Sequence, residues 1–112
     1  MNRDREYLLD AIHACTLILE FSQGQNQETF NRDLKTQSSV LYQLTILGEA
    51  TNRLSLDYQT LNPQVPIAAM RGMRNRIVHE YKEVDLKILW DVVQYHIPEL
   101  LELLQNSNLP QL

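Results

Sequence analysis

Apolar side chains recur every three or four residues along four stretches of this chain, the spacing of one buried face on an α-helix. The stretches cover residues 3–23, residues 38–54, a segment that opens at Pro66, and residues 86–105. Shorter helical turns are expected near Phe30 and after Ser55, a plausible N-cap. The pattern predicts an all-α, up-down bundle of four main helices plus one or two short helices, in a single domain over residues 1–112.

Glycine and proline positions refine this prediction. Gly24 should end the first helix. Gly48 and Gly72 fall inside predicted helices, where glycine costs about 1 kcal/mol relative to alanine, so we expect another helix to pass close to each. The last helix should begin after Asp85, which is expected to cap it. Pro98 falls inside the apolar stripe of that helix and predicts a kink there. The polar tail from Asn106 is expected to fray.

Composition excludes several classes of protein. A hydrophobic fraction of 44% over 112 residues is typical of a globular domain rather than of a disordered chain. No apolar run reaches 18 residues, and the charged N-terminus lacks the apolar centre of a signal peptide, so neither a membrane span nor secretion is expected. The single cysteine, Cys15, excludes an internal disulfide and favours a reducing, cytoplasmic setting.

Charge is distributed unevenly along the chain. The net charge is −4, which argues against a general nucleic-acid coat. Residues 66–82 nevertheless carry three arginines and Lys82 against only Glu80, a local +3 that leaves −7 elsewhere. A basic focus on an acidic protein can attract a phosphate group without holding a long duplex.

The same segment concentrates reactive side chains, namely Arg74, Asn75, Arg76, His79 and Tyr81. On an ideal helix Asn75 and His79 share one face, and Arg74 and Tyr81 share another. Arg74 and His79 then lie about 140° apart around the helix axis. Three arrangements could still bring them together: the long arginine stem could bridge the gap, the helix could end near His79, or a second protomer could supply the partner.

A histidine and an arginine suffice in principle for metal-independent RNA cleavage. The histidine can exchange a proton near neutral pH while the arginine holds the phosphate through paired donors. Because such cleavage needs both an acid and a base, one motif histidine per chain favours a two-fold dimer with the site in its cleft. The competing interpretation is that Arg74 and His79 are ordinary surface or capping groups. His13 and His96 have no comparable neighbours, and no metal-ligand spacing is found.

Several motifs resemble the HEPN superfamily, and in particular its HepT branch. The signature is an arginine followed by a polar residue and then a histidine, here Arg74, Asn75 and His79, with the His-x-Tyr extension completed by Tyr81. Further matching segments are Leu47-Gly48-Glu49-Ala50, Pro66-Ile67, Gly72-Met73-Arg74-Asn75, Val84-Asp85 and Leu89-Trp90. The resemblance covers nearly the whole chain.

The resemblance implies a function and a partner. Members of this branch are helical, usually dimeric, metal-independent endoribonucleases that act as toxins of type VII toxin–antitoxin pairs. Their partner is a minimal nucleotidyltransferase antitoxin of the MntA type, which transfers AMP to the motif tyrosine. Carried over, Arg74 and His79 are the catalytic pair, Asn75 and Arg76 support them, and Tyr81 is the AMPylation site. No cofactor, metal or membrane is implied.

Two questions remain open at this level. Glu49 could orient Arg74 or Arg76, or it could form a surface ion pair with Arg53 four residues later. The whole domain could also be a non-catalytic helical module that binds nucleotide or accompanies a nucleotidyltransferase, with its arginines holding phosphate.

Overall fold

Helices make up most of the computed structural model, which describes residues 2–79 and 83–111, apart from the side chain of His79. In chain order they are α1 (Asp4–Phe21), α2 (Gln27–Asn31), α3 (Leu34–Asn52), α4 (Leu56–Leu61), α5 (Ile67–Ile77), α6 (Leu86–Asp91), a π-helical segment (Val92–His96) and α7 (Ile97–Gln105). Strands β1 (Val78–His79) and β2 (Glu83–Val84) form a short hairpin between α5 and α6. Within the described ranges, no helix is both long and apolar enough to cross a membrane.

The predicted all-α bundle of four main and two short helices is confirmed. The main helices are α1, α3, α5 and the continuous run from α6 to α7, and the short ones are α2 and α4. Helix α3 contacts both α1 and α5, and α1 also packs against α7. The site-bearing α5 is therefore held on the bundle through α3.

Local hydrogen bonds explain where several helices begin and end. Helices α2, α3, α4 and α6 each begin after a side chain that accepts a hydrogen bond from a first-turn backbone N–H: Asn26, Asp33, Ser55 and Asp85. Each such cap stabilises a helix by about 1 kcal/mol. Gly24 follows α1 with φ of 77°, a conformation that other residues adopt at a cost. The predicted caps at Ser55 and Asp85 are confirmed, and α1 ends at Phe21, three residues before the predicted stop at Gly24.

The core follows the predicted stripes. The apolar spacing within residues 38–54 predicts one buried stripe, and its residues are buried: Val40, Leu44, Leu47 and Thr51 of α3, and Leu54 just after it. Met70, Met73 and Ile77 bury the inner face of α5. Phe30 of α2 packs its ring against Trp90 of α6, with centroids 5.0 Å apart, so a short helix also contributes an aromatic anchor to the core.

The last helix changes its winding before Pro98. Over Val92–His96 the backbone is π-helical, and the N–H of Ile97 donates to the carbonyl of Val92, five residues earlier. The helix then continues through Pro98 to Gln105. The wider turn places both Val92 and Val93 in the core, at 1% and 3% exposure, where the α-helical period predicts only Val93.

The segment after α7 is anchored, so the prediction of a frayed tail from Asn106 is wrong. The buried Asn62 side chain donates to the carbonyl of Asn108 at 2.7 Å and accepts from its N–H at 2.8 Å. The Tyr58 hydroxyl donates to the Ser107 hydroxyl at 2.6 Å. These polar contacts come from α4 and the loop after it, at a sequence separation that no local pattern reveals.

A buried carboxylate joins the starts of α1 and α4. Asp4 is 3% exposed. It accepts hydrogen bonds from the N–H and the hydroxyl of Ser55, at 2.8 and 2.5 Å. Burial works against ionisation of this carboxyl, but the bonds from Ser55 outweigh it, and the pKa of Asp4 lies below its ordinary value of 3.8. The folded state therefore favours the ionised form.

We expect Asp4→Asn to lower the free energy of unfolding at neutral pH by about 1.5–3 kcal/mol, the range for hydrogen bonds to a charged group. Because the folded pKa is depressed, the contribution of the carboxylate is complete above its unfolded pKa of 3.8. It is lost as the pH falls through the folded pKa. Urea titrations across this acid range should show the difference from wild type shrinking. The exposed Asp10→Asn control should show no such trend, and a pH-independent difference for Asp4→Asn would contradict the prediction.

Candidate functional site

The segment that contains Arg74, Asn75 and His79 begins in α5 and ends in the β1–β2 hairpin. Helix α5 ends at Ile77, and Val78 is already extended, with φ of −99° and ψ of 103°. Val78 pairs with Val84 and His79 with Glu83, and the N–H of Asp85 donates to the carbonyl of Ile77 at 2.8 Å. The β-branched pair Ile77-Val78 favours this change from helical to extended backbone.

This geometry replaces the ideal-helix description of the motif. His79 lies on β1, so the assignment of Asn75 and His79 to one helical face is wrong for a helix that ends at Ile77. Of the three arrangements considered, the structure shows the one in which the helix ends near His79. Tyr81 lies outside the described residues, as does the side chain of His79.

The outer face of α5 carries the basic residues. Arg71, Arg74, Asn75 and Arg76 are all exposed. Arg74 and Arg76 lie in the last turn, where positive charge also complements the helix dipole. Arg71 precedes Arg74 and Asn75 by three and four residues, so these three side chains share one helical face.

That face borders a cleft between α3 and α5. The cleft has a volume of about 320 Å³ and is lined by Leu44, Thr45, Gly48, Glu49, Asn52, Arg71, Arg74 and Asn75. It brings together three of the predicted site residues, Glu49, Arg74 and Asn75. Arg76, although exposed, does not line it. The cleft combines positive charge, one carboxylate and two amides on an apolar base, a composition suited to a small polar ligand.

Gly48 and Gly72 do not mark close helix crossings, and that prediction is wrong. A Cβ atom built on either glycine meets nothing within 4 Å. Gly48 instead lines the cleft. Its missing side chain therefore widens the space between α3 and α5, and the energetic cost of glycine in α3 is balanced by no packing contact.

Glu49 faces the cleft rather than forming the alternative surface pair. Ion pairs among the described residues join Arg3 to Glu6, Glu28 to Arg32 and Lys87 to Asp91, and Glu49 takes part in none of them. Arg53 lies over the ring of Tyr7, at 6.0 Å from its centroid. Glu49 also lines a smaller cleft of about 170 Å³ with Tyr7, Asp10 and Arg53, so it stands between two clefts.

Other reactive groups lie apart from this site. His13 and His96 are exposed. Cys15 is fully buried, and burial raises the pKa of its thiol to about 12, so it is no thiolate nucleophile at neutral pH. Within residues 2–79 and 83–111, no group of three or more histidine, cysteine, aspartate or glutamate side chains is placed to hold a metal ion.

A larger groove lies on another part of the molecule. It has a volume of about 720 Å³ and runs between α4 and residues 108–111, lined by Leu56, Leu61, Leu109 and Pro110 among others. Asp57 is the one ionisable side chain in its described lining. A groove without paired acid–base groups is a poorer candidate for proton-transfer chemistry than the smaller α3–α5 cleft.

Three polar residues that line the cleft, Thr45, Asn52 and Arg71, belong to none of the sequence motifs. Arg71 contributes only to the local positive charge of residues 66–82. The available signals were spacings: Arg71 precedes Arg74 by three residues, and Asn52 follows Gly48 by four and Glu49 by three. The pairing of α3 with α5 is needed to bring these two sets of residues together.

Comparison with known proteins places the chain in a family. A family model described as "Ribonuclease HepT-like" matches residues 11–107. A "Probable ribonuclease HepT" from Thermococcus cleftensis is 38% identical over 96 residues, covering 86% of this chain and 87% of the relative.

Two further relatives support the same assignment. A protein named "Putative RNase" from Methanocaldococcus jannaschii is 32% identical over 84% of this chain and 78% of its own length. Another protein described as a putative RNase, from Caldanaerobacter subterraneus subsp. tengcongensis, is 31% identical, with 89% of each chain covered. No solved structure matches. With the helical bundle and a family match that includes the whole Arg74–His79 motif, the chain belongs to the HepT-like ribonuclease family.

Proposed function

We propose that this protein is a metal-independent endoribonuclease that acts in the cytoplasm as the toxin of a toxin–antitoxin pair. The observation that carries the proposal is the ribonuclease-family match over residues 11–107, which contains Arg74 and His79. The basic face of α5 supports it, because Arg71, Arg74 and Arg76 are exposed and available to phosphate.

In the proposed reaction the ribose 2′-hydroxyl attacks the adjacent phosphorus. His79 takes the hydroxyl proton, the new oxygen–phosphorus bond closes a 2′,3′-cyclic phosphate, and the bond to the 5′-oxygen breaks. An acid returns a proton to that leaving oxygen. Arg74 offsets the charge that builds on the phosphate oxygens, Asn75 orients the pair, and Arg76 holds the flanking backbone.

A dimer would complete this scheme. Each chain contributes one motif histidine, and the reaction uses both a base and an acid. Two copies related by a two-fold axis would bring two His79 residues to one cleft. Glu49 would then stand beside the arginines as an orienting or substrate-contacting carboxylate.

The proposed control of activity is covalent. The partner would be a minimal nucleotidyltransferase antitoxin, which transfers AMP from ATP to Tyr81. The phenolic oxygen forms a bond to the α-phosphorus, pyrophosphate leaves, and the hydroxyl proton passes to a base. Tyr81 follows His79 by two residues, so each adenylate would add bulk and negative charge beside the motif and oppose RNA phosphate.

We expect the purified protein to cleave single-stranded RNA in the presence of a metal chelator, because the proposed scheme uses side chains alone. The fragments should carry 2′,3′-cyclic phosphate and 5′-hydroxyl ends, which end-labelling of the products can identify. Strong inhibition by the chelator, with recovery on adding a divalent ion, would refute the metal-independent mechanism. An inactive protein that binds nucleotide through Arg74 would instead favour the non-catalytic module.

A further inference from the structure

The α3–α5 cleft sets two kinds of side chain against each other. Arg71 and Arg74 of α5 face Glu49 and Asn52 of α3. All four are exposed, and within the described part of the chain none of the four appears in a side-chain hydrogen bond or an ion pair. Their donors and acceptors are therefore available to a ligand.

The mixture of charges indicates what that ligand carries. Two arginines attract phosphate, but a cleft for phosphate alone would be weakened by a carboxylate on its opposite wall. A carboxylate accepts hydrogen bonds and donates none when it is ionised. The cleft therefore suits a ligand with an anionic end and a hydrogen-bond-donating end, which describes a nucleotide.

We propose that this cleft is a nucleotide subsite beside the scissile phosphate, that it selects guanine, and that Glu49 is the selecting residue. Guanine presents two neighbouring donors on its Watson–Crick edge, N1–H and the 2-amino group, and these match the two oxygens of one carboxylate. Cytosine and adenine present one amino group beside an acceptor, and uracil presents one N–H between two acceptors. Asn52, three residues after Glu49, can donate to O6 of guanine.

The shape of the cleft fits a planar ring. Gly48 has no side chain, and a Cβ atom there would meet nothing within 4 Å, so a flat base can approach the α3 backbone. Leu44, 3% exposed, lines the bottom. The volume of about 320 Å³ lies near the lower end of ligand pockets, enough for one nucleotide.

The charges of the two clefts also indicate on which side the phosphate of the bound nucleotide lies. Glu49 divides the α3–α5 cleft from the smaller cleft lined by Asp10 and Arg53. The first contains two arginines and one carboxylate, and the second contains one arginine and two carboxylates. Phosphate is favoured on the α5 side, where Arg71 would hold the phosphate of this nucleotide and leave Arg74 to the reacting one.

This inference rests on the proposed ribonuclease activity, so its test needs a binding measurement as well as a cleavage measurement. Calorimetry would compare guanosine, adenosine, cytidine and uridine 3′-monophosphates on the wild-type protein. In parallel, sequencing of the ends produced from a random RNA pool would give the nucleotide preference at the cut. We expect tighter guanosine binding and an excess of guanosine next to the cut.

Substitutions on α3 and on α5 distinguish the roles of the two walls of the cleft. Glu49→Gln, which keeps the size of the side chain, should reduce the preference for guanosine by about 5- to 150-fold, the range expected for one bidentate base contact. Arg71→Ala should weaken the binding of all four nucleotides by the same factor. Gly48→Leu should block the cleft, whereas Gly72→Ala, a control at a glycine outside the cleft where a Cβ atom also meets nothing within 4 Å, should bind nucleotide as the wild type does.

Each outcome bears on one of the two proposals. An unchanged guanosine preference in Glu49→Gln, or equal binding of all four nucleotides by the wild type, would overturn the guanine subsite and leave the ribonuclease activity standing. Selective guanosine binding that Glu49→Gln abolishes, in a protein that cuts no RNA, would support the subsite and count against the catalytic proposal alone.

Discussion

Replacing His79 with alanine is expected to reduce RNA cleavage by about 10²- to 10⁴-fold, the usual contribution of a positioned general acid or base. In the proposed dimer the loss should lie at the upper end, because the substitution removes both the proton acceptor and the proton donor. His79 follows the last turn of α5 on the short strand β1. The measurement is the rate of fragment formation under single-turnover conditions.

Two exposed histidines provide matched controls for this experiment. His13→Ala and His96→Ala remove the same side chain from α1 and from the π-helical segment, away from the α3–α5 cleft. Both should cleave RNA as the wild type does. Circular dichroism should show the same helix content in all three variants. Undiminished cleavage by a folded His79→Ala protein would remove this residue from the mechanism.

Adenylylation of Tyr81 by the partner nucleotidyltransferase is expected to abolish cleavage. Each added phosphodiester brings negative charge close to Arg74 and His79 in sequence, and the attached nucleoside competes with RNA for the arginines. The measurement is intact mass after co-expression with the transferase, which should rise by whole adenylate units, combined with peptide mapping and a cleavage assay on the same sample.

Tyr81→Phe is the decisive variant, because it lacks the acceptor oxygen and keeps the ring. It should cleave RNA when expressed alone and should remain active and unmodified in the presence of the transferase. Tyr42 and Tyr95, at 63% and 66% exposure, are accessible tyrosines elsewhere on the surface. Adenylate mapped to either of them, or silencing that persists in Tyr81→Phe, would refute the role of Tyr81.

Much of the fold follows from local pattern in the sequence. The stripe from Val40 to Thr51 predicts the buried face of α3 because a regular α-helix keeps its period of 3.6 residues throughout. Ser55 and Asp85 predict helix starts because a cap bonds only to its own first turn. Cys15 and the two methionines of α5, Met70 and Met73, lie at apolar positions of the helical spacing and are buried as packing residues.

The remaining features depend on contacts between distant residues or on a break in the period. The hairpin that carries His79 requires Val84 as a partner, and its strands are too short to show alternation. In the sequence, Gly48 resembles a glycine at a close helix crossing. Only the position of α5 shows that the space beside it is open. Asn62 and Asn108 lie 46 residues apart, and neither predicts the other. The motif itself was recognisable from the sequence, whereas its cleft was not.

The π-helical segment also determines which changes of length this chain can tolerate. A π turn holds one residue more than an α turn, so Val92–His96 behaves as an α-helix with a single residue inserted. Deleting the exposed Gln94 would let the backbone return to α-helical bonding and would keep Leu100 and Leu104 facing the core. The same deletion within α3 would rotate every later side chain by about 100° and turn its buried stripe toward water. Length variation in the last helix is therefore expected to concentrate in this one turn.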